Sequence, residues 1–423
     1  MNTLTELISC MSDYDPEALP VERAREVIRA ATTPISDTEL LDLRAALGRI
    51  LAEDIIAPID VPAHDNSAMD GYAVRSADLP REQPKTFTEI GASFAGRPFH
   101  GEVGADQCVR IMTGAVMPQG ADTVVMQEHV HSDGHFITIP AGQVAGQNRR
   151  RAGEDLQKGT PALHRGKFIR PADLGLLASL GIAQVKVVRR LKVAFFSTGD
   201  ELRGLGEPLG IGEVYDSNRY TLYGMLTRMG FEIIDLGVVR DDPVAIESAF
   251  RTAAQQADAV ITSGGVSVGE ADYTKAIMER LGQVVFWKIA MRPGRPMAFG
   301  QIQSQSKNAY LFGLPGNPVS VMVTFYQFVR GALLHLQGCD CSAPPLLRAR
   351  TQTRLRKKAG RTEFQRGILE KRDGEWSVRP TGAQGSGVLR SMSEANCFVI
   401  LPHDLSGVET GEWVDVMLME GLI

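Results

Sequence analysis

Between residues 191 and 335, apolar runs of strand length alternate with stretches of helix length. LKVAFFS is followed by a helix over Arg219–Met229, FEIIDLG by a helix over Pro243–Gln256, and DAVITSG by a helix over Tyr273–Leu281. VVFWKIA, an irregular polar stretch QIQSQSKN, AYLFGL and a last helix over Val319–Leu334 complete the series. Such alternation folds into a mostly parallel sheet with helices on both faces. Ligands of these sheets bind beyond the carboxyl ends of the strands. The loops that matter are therefore STGDEL, VVRDDP, SGGVSVGEADYTK, MRPGRP and LPGNP.

The flanking regions read differently. Residues 19–31 carry apolar side chains at helical spacing, and a second helix is expected over Thr38–Leu47, stopped by Gly48. From about Ala57 to Gly146, short β-rich runs alternate with Gly, Pro, Asp and Asn, and Ser132-Asp133-Gly134 forms a hairpin turn. After Ala343-Pro344-Pro345 the chain is β-like to its end. The expected class is a multidomain α/β protein: a central α/β domain, an inserted β domain and a C-terminal β barrel-like domain. The expected division is 1–56 plus 147–186, 57–146, 187–338 and 339–423.

Charge and cysteine content narrow the function. Lys+Arg 45 against Asp+Glu 50 gives no basic surface for nucleic acid. Five irregularly spaced cysteines argue against a disulfide framework and fit a reducing cytoplasm. Pro315, Gly316, Asn317 and Pro318 interrupt the most apolar window, Tyr310–Val329, so it reads as strand, loop and helix rather than a membrane span. The amino terminus has no signal-peptide pattern.

Several loops could carry chemistry. The glycines of the run from Ser263 to Tyr273 let the backbone approach a ligand, and a following helix start favours an anion. Asp272 could hold Mg²⁺ against a phosphate, although the same residues would also make a plain capped turn. The run from Ser197 to Leu202 puts two hydroxyls and two acids at a strand end; a solvated loop is the competing reading. Asp241 precedes an ordinary Asp242-Pro243 helix start. Lys288, Arg292 and Arg295 form an oxyanion cradle or a solvated charge run. Leu314–Pro318 is a rigid loop suited to a site or to a structural turn. His129, His131 and His135 flank the hairpin turn and lack zinc-ligand spacing.

Read together, DNSAMDGYA, MTGA, RRRAGEDL, STGDEL, SGGVSVGEADYTK, RPGRPMAFG, LPGNPVS and GRTEFQRG resemble the molybdopterin molybdenumtransferase family, MoeA and the E domain of gephyrin, over essentially the whole chain. The resemblance implies four subdomains, the α/β one like the molybdopterin adenylyltransferase fold, and an elongated homodimer with a shared active cleft. It implies insertion of molybdate into adenylylated molybdopterin, with Mg²⁺ as cofactor and AMP released. Its catalytic positions fall on Asp65, Thr113, Arg150, Asp155, Glu201, Asp241 and Asp272, with Glu201 and Asp272 as metal ligands. Molybdopterin or AMP would contact Ser197, Thr198, Gly199, Ser263, Gly264, Gly265, Ser267, Gly269, Pro315, Gly316, Asn317 and Pro318. Lys288, Arg292, Arg366 and Ser386 would gather molybdate. Implied partners are a molybdopterin adenylyltransferase and recipient molybdoenzymes. Three departures stand out: Arg292, where relatives often carry Lys, His64, where an aromatic residue is common, and QIQSQSKN, which lengthens a loop near the site. An adenylyltransferase, which would match only the middle of the chain, and a non-catalytic scaffold are the rival readings.

Overall fold

The structure is a computed structural model that describes residues 18–265, 272–304, 308–340 and 343–419. Its centre is a six-stranded sheet of β1 Lys192–Thr198, β2 Glu232–Val239, β3 Ala259–Ser263, β4 Gly282–Lys288, β5 Pro296–Gln303 and β6 Asn308–Leu314. The spatial order is β2-β1-β3-β6-β5-β4. β1 runs parallel to β2 and β3, and β3 parallel to β6; β5 is antiparallel to both β6 and β4, so it alone is reversed. Alternation along β1 sends Val193 and Phe195 to one face and Ala194 and Phe196 to the other.

Four helices cover the sheet: α1 Ser217–Arg228, α2 Pro243–Gln256, α3 Asp272–Leu281 and α4 Pro318–Leu336. Asp216 caps α1 by accepting from the Arg219 amide at 3.1 Å, and Asp242 caps α2 from the Ala245 amide at 2.8 Å. Leu222 of α1 and Val319 of α4 pack on one face, with Ile246 and Phe250 of α2 on the other. Among the described residues α4 alone is long and apolar enough to cross a membrane, but it is 67% buried and supplies core side chains. The expected helix near the amino terminus is present at Val21–Ala31, and it packs into the same core through Ala24, Val27 and Ile28.

Two expectations are corrected. Thr38–Asp42 is a strand, paired antiparallel with Gln184–Val188, and only Leu43–Ala46 forms a helical turn before Gly48. Helical spacing of the leucines yields here to a backbone ladder with a segment about 146 residues away, which local periodicity cannot register. The polar stretch after MAFG is not irregular throughout. Gln301–Gln303 ends β5, with Ile302 buried between two more exposed glutamines. Glycines at 282 and 300 let β4 and β5 approach closely: a Cβ at Gly300 would sit 2.1 Å from the Gln283 carbonyl oxygen.

Around this centre lie two β units. One is a six-stranded sheet spanning Gly71–Ile139 in sequence, including the expected hairpin at His131–Ile139. The other lies within Leu347–Leu418. There Thr362–Arg372 pairs with both Glu375–Pro380 and Cys397–Leu401, and Leu347–Thr351 and Trp413–Leu418 complete the ring of a closed barrel. Met291–Arg292 pairs with Thr362–Glu363, which ties the exit loop of β4 to the barrel. Cys108 and Cys397 are free and buried.

Candidate active site

The loops after the carboxyl ends of β1, β2, β3 and β6 converge on a cleft of about 460 Å³. Its walls include Thr198, Gly199, Glu201, Asp241, Ser263, Gly264 and Gly265, together with Pro315, Gly316 and Asn317. Two loops interlock at its floor. The Gly264 amide donates to the Leu314 carbonyl at 3.1 Å, and Asn218 Nδ2 donates to the Gly316 carbonyl at 2.7 Å. Gly264 adopts φ +90°, and a Cβ there would lie 2.7 Å from the Thr198 carbonyl oxygen. Glycine is required at this point by both conformation and space.

Cations close the other side. Arg292 and Arg295 leave β4 on a loop that Gly294 turns at φ +97°, and Arg361 reaches in from the barrel. Ser386, also from the barrel, lines the cleft, and its carbonyl accepts from the Val319 amide at 3.1 Å in the first turn of α4. Glu201 and Asp241 are exposed, and the Asp241 amide donates to Asp200 Oδ1 at 3.3 Å. Glu201 folds back over Gly199: a Cβ on that glycine would lie 2.5 Å from Glu201 Oε2. The arrangement offers carboxylates at one end, cations at the other and close backbone between, which suits a phosphate-bearing ligand beside a small oxyanion.

Other residues singled out in the sequence sit elsewhere. Ser197 is fully buried within β1 and hydrogen-bonds Ser263 Oγ at 3.1 Å below the cleft. Pro318 starts α4, and Lys288 ends β4 on an exposed position; neither lines the cleft. Arg366 is buried behind it, in a pocket of about 260 Å³ that shares Arg292 with the cleft. Arg366 donates to Ser391 Oγ at 3.0 Å and to the Gly385 carbonyl at 3.0 Å, propping the loop that carries Ser386. Burial, then the neighbouring Arg292, pushes its pKa down to about 10. Asp272 opens α3, but its side chain lies outside the described residues, as do Ser267 and Gly269.

A second cluster forms in the amino-terminal third. The segment Asp65–Asp70 is zipped between residues 113–117 and 148–152: Met117 N donates to Asp65 O, Gly114 N to Ser67 O and Ala68 N to Asn148 O. Asp65 accepts from Arg149 Nε at 2.8 Å and from the Ala152 amide at 2.8 Å, and it also pairs with Arg149 Nη2. The Ala152 bond leads the causes that hold its carboxyl below the usual range. Arg149 and Arg150 are successive residues of a strand and so point to opposite faces; it is Arg149 that holds Asp65, while Arg150 is exposed. Thr113 and Asp155 are exposed too. None of Asp65, Thr113, Arg150 and Asp155 lines the cleft.

Sequence reasoning missed Asn218 and Thr274 in the cleft wall. Both lie in the first turn of a helix, and the Asp216 cap two residues before Asn218 was the available signal.

Comparison with known proteins agrees with this architecture. The MoeA N-terminal region (domains I and II) matches residues 19–181, a probable molybdopterin binding domain matches 194–335, and the MoeA C-terminal region (domain IV) matches 348–419. The molybdopterin molybdenumtransferase of Haemophilus influenzae is 48% identical over 402 residues, covering 94% of this chain and 98% of that protein. That of Nostoc is 37% identical over 390 residues, covering 91% and 89%. The crystal structure of the molybdopterin biosynthesis moeA protein from Pyrococcus horikoshii superposes with a TM-score of 0.83 at 31% identity, over 95% of this chain and 100% of that one. Matched in order along nearly its whole length, the chain belongs to the MoeA family of molybdopterin molybdenumtransferases, transferases of molybdenum cofactor biosynthesis.

Proposed function

We propose that the cleft binds adenylylated molybdopterin and molybdate, that water cleaves the phosphoanhydride to release AMP and leave the molybdopterin phosphate, and that the two dithiolene sulfurs bond molybdenum as one oxide of molybdate leaves with the two thiol protons as water. The observation that carries this reading is the joint placement of Glu201, the close glycine backbone of Gly264 and Gly265, and Arg292 with Arg295 around one cavity. The glycine loops let a phosphate approach main-chain amides, and the arginines hold an oxyanion next to it. Holding two reactants in one cavity supplies much of the acceleration. Ser386, fixed to the start of α4, sets the barrel side of the oxyanion pocket.

Mg²⁺ fits the donor set. No group of three or more metal-holding side chains occurs among the described residues, but this ion takes one or two carboxylates and fills its remaining positions with water and substrate phosphate. Glu201 is exposed at the cleft with no side-chain partner among the described residues and would hold it; the family resemblance adds Asp272 as the second ligand, and Asp241 lines the same cleft as Glu201. Bound there, the ion would neutralise charge at the anhydride.

Asp65, Thr113, Arg150 and Asp155 would complete the site from the other protomer of a cytoplasmic homodimer. That none of the four lines the cleft of the same chain supports this. Incubation with adenylylated molybdopterin, Mg²⁺ and molybdate should give AMP and loaded cofactor in step. Formation of adenylylated product from molybdopterin and ATP instead would favour the adenylyltransferase. Mixing inactive Asp65→Asn and Glu201→Gln proteins should restore activity in hybrid dimers; no recovery would refute the shared site.

A further inference from the structure

The DNSAMDGYA run contains a second acid, Asp70, that no role above uses. Its Oδ1 accepts twice from Thr113: from the backbone amide at 2.7 Å and from the hydroxyl at 2.8 Å. A threonine hydroxyl has one proton, and an ionised carboxylate cannot return one. With that proton committed, Thr113 Oγ1 has only lone pairs to offer. Thr113 is exposed and Asp70 half-buried behind it. The surrounding backbone is anchored without the carboxylate. Gly114 N donates to Ser67 O at 2.8 Å, Ala115 N to Met112 O at 2.9 Å, and Gln127 N to Asp70 O at 3.1 Å.

We propose that Asp70 is a positioning residue that fixes Thr113 as a pure hydrogen-bond acceptor, so that the Thr113 hydroxyl reads an N–H or O–H donor on the substrate. The inference rests on the reading of Thr113 as part of the shared site. It adds the direction of the hydrogen bond and the residue that sets it. The bond from the Thr113 amide, and then that from its hydroxyl, hold the Asp70 carboxyl below its usual range, which keeps it ionised at neutral pH. An alternative, that Asp70 only ties down the 112–115 turn, predicts a change in stability without a change in substrate recognition.

The insertion assay, with KM for adenylylated molybdopterin and kcat measured separately, tests this on Thr113→Val, Asp70→Ala, Asp70→Asn and the Thr113→Val/Asp70→Ala double variant. Thr113→Val and Asp70→Ala should each raise KM about tenfold, equivalent to about 1.4 kcal/mol, with kcat little changed. The double variant should be no worse than either single one, because both remove the same oriented acceptor. Asp70→Asn keeps a side-chain oxygen that can accept both bonds and should restore KM to near the parent value. Wild-type KM in Asp70→Ala beside an impaired Thr113→Val would overturn the proposal, as would multiplying effects in the double variant or an Asn variant as poor as Ala. If Thr113→Val itself binds normally, the placement of Thr113 in the shared site fails first, and the proposal with it. Should Asp70→Ala not fold by circular dichroism, Asp70→Ser, too short to span the same distance, takes its place.

Discussion

The cleft at the carboxyl edge of the central sheet and the Asp65–Thr113 cluster are both polar and both charged, yet they are built on different principles. In the cleft, side chains such as Glu201 and Arg292 are exposed, while backbone contacts between the Gly264 and Gly316 loops do the structural work. In the cluster a charged side chain is itself structural: Asp65 receives Arg149 and the Ala152 amide. Glu201 and Arg292 have no side-chain partner among the described residues, whereas the groups that shape the cluster satisfy one another. Replacing an exposed side chain of the cleft should therefore cost activity alone, whereas replacing Asp65 in the cluster should cost stability as well.

The largest effect expected is on Glu201→Gln. Loss of the carboxylate should lower kcat by on the order of 100-fold. The melting temperature should stay at the parent value, because the side chain is exposed and has no partner among the described residues. A melting shift as large as that of a cluster variant would break the comparison. Gly264→Ala sharpens it from the opposite side, since here the cleft's backbone is altered. At φ +90° with the Thr198 carbonyl 2.7 Å away, the added methyl should destabilise the fold by about 1–3 kcal/mol and impair insertion together. Thermal melts and the insertion assay read both. Arg292→Ala should raise KM for molybdate about tenfold, with Arg292→Lys intermediate, since Lys keeps the charge but not the planar fork.

The two regions also differ in how far the sequence reveals them. The cleft follows from strand–helix alternation: once LKVAFFS, DAVITSG and AYLFGL are parallel neighbours, their exit loops must meet. The reversed β5 and the strand at Thr38–Asp42 were hidden, because both depend on partners rather than on their own spacing. The cluster was legible only as isolated runs. Nothing local says that residues 65–70 lie between 113–117 and 148–152, or that Arg149, not Arg150, faces Asp65. Resemblance named Thr113 and Asp65 as functional, but their partners Asp70 and Arg149 are three-dimensional facts.

The smallest effect expected is on stability, and it has a defined pH window. Asp65 has its carboxyl held below the ordinary value of 3.8, first by the Ala152 amide and then, against the opposing effect of burial, by Arg149. A carboxylate with a depressed folded-state pKa contributes stability that is complete above the unfolded value. That contribution is lost as pH falls through the folded value. The side chains of Asp65 and Arg149 are 32% and 28% exposed, so solvent screening keeps the contribution to about 1 kcal/mol. Asp65→Asn should accordingly melt lower than the parent protein at pH 7 and at pH 5 by the same margin, and the two should converge as pH drops below 3.8. If the Asp65→Asn gap persisted undiminished in acid, the Asp65 carboxylate would not be the structural element of the cluster, and the contrast with the cleft would rest on backbone packing alone.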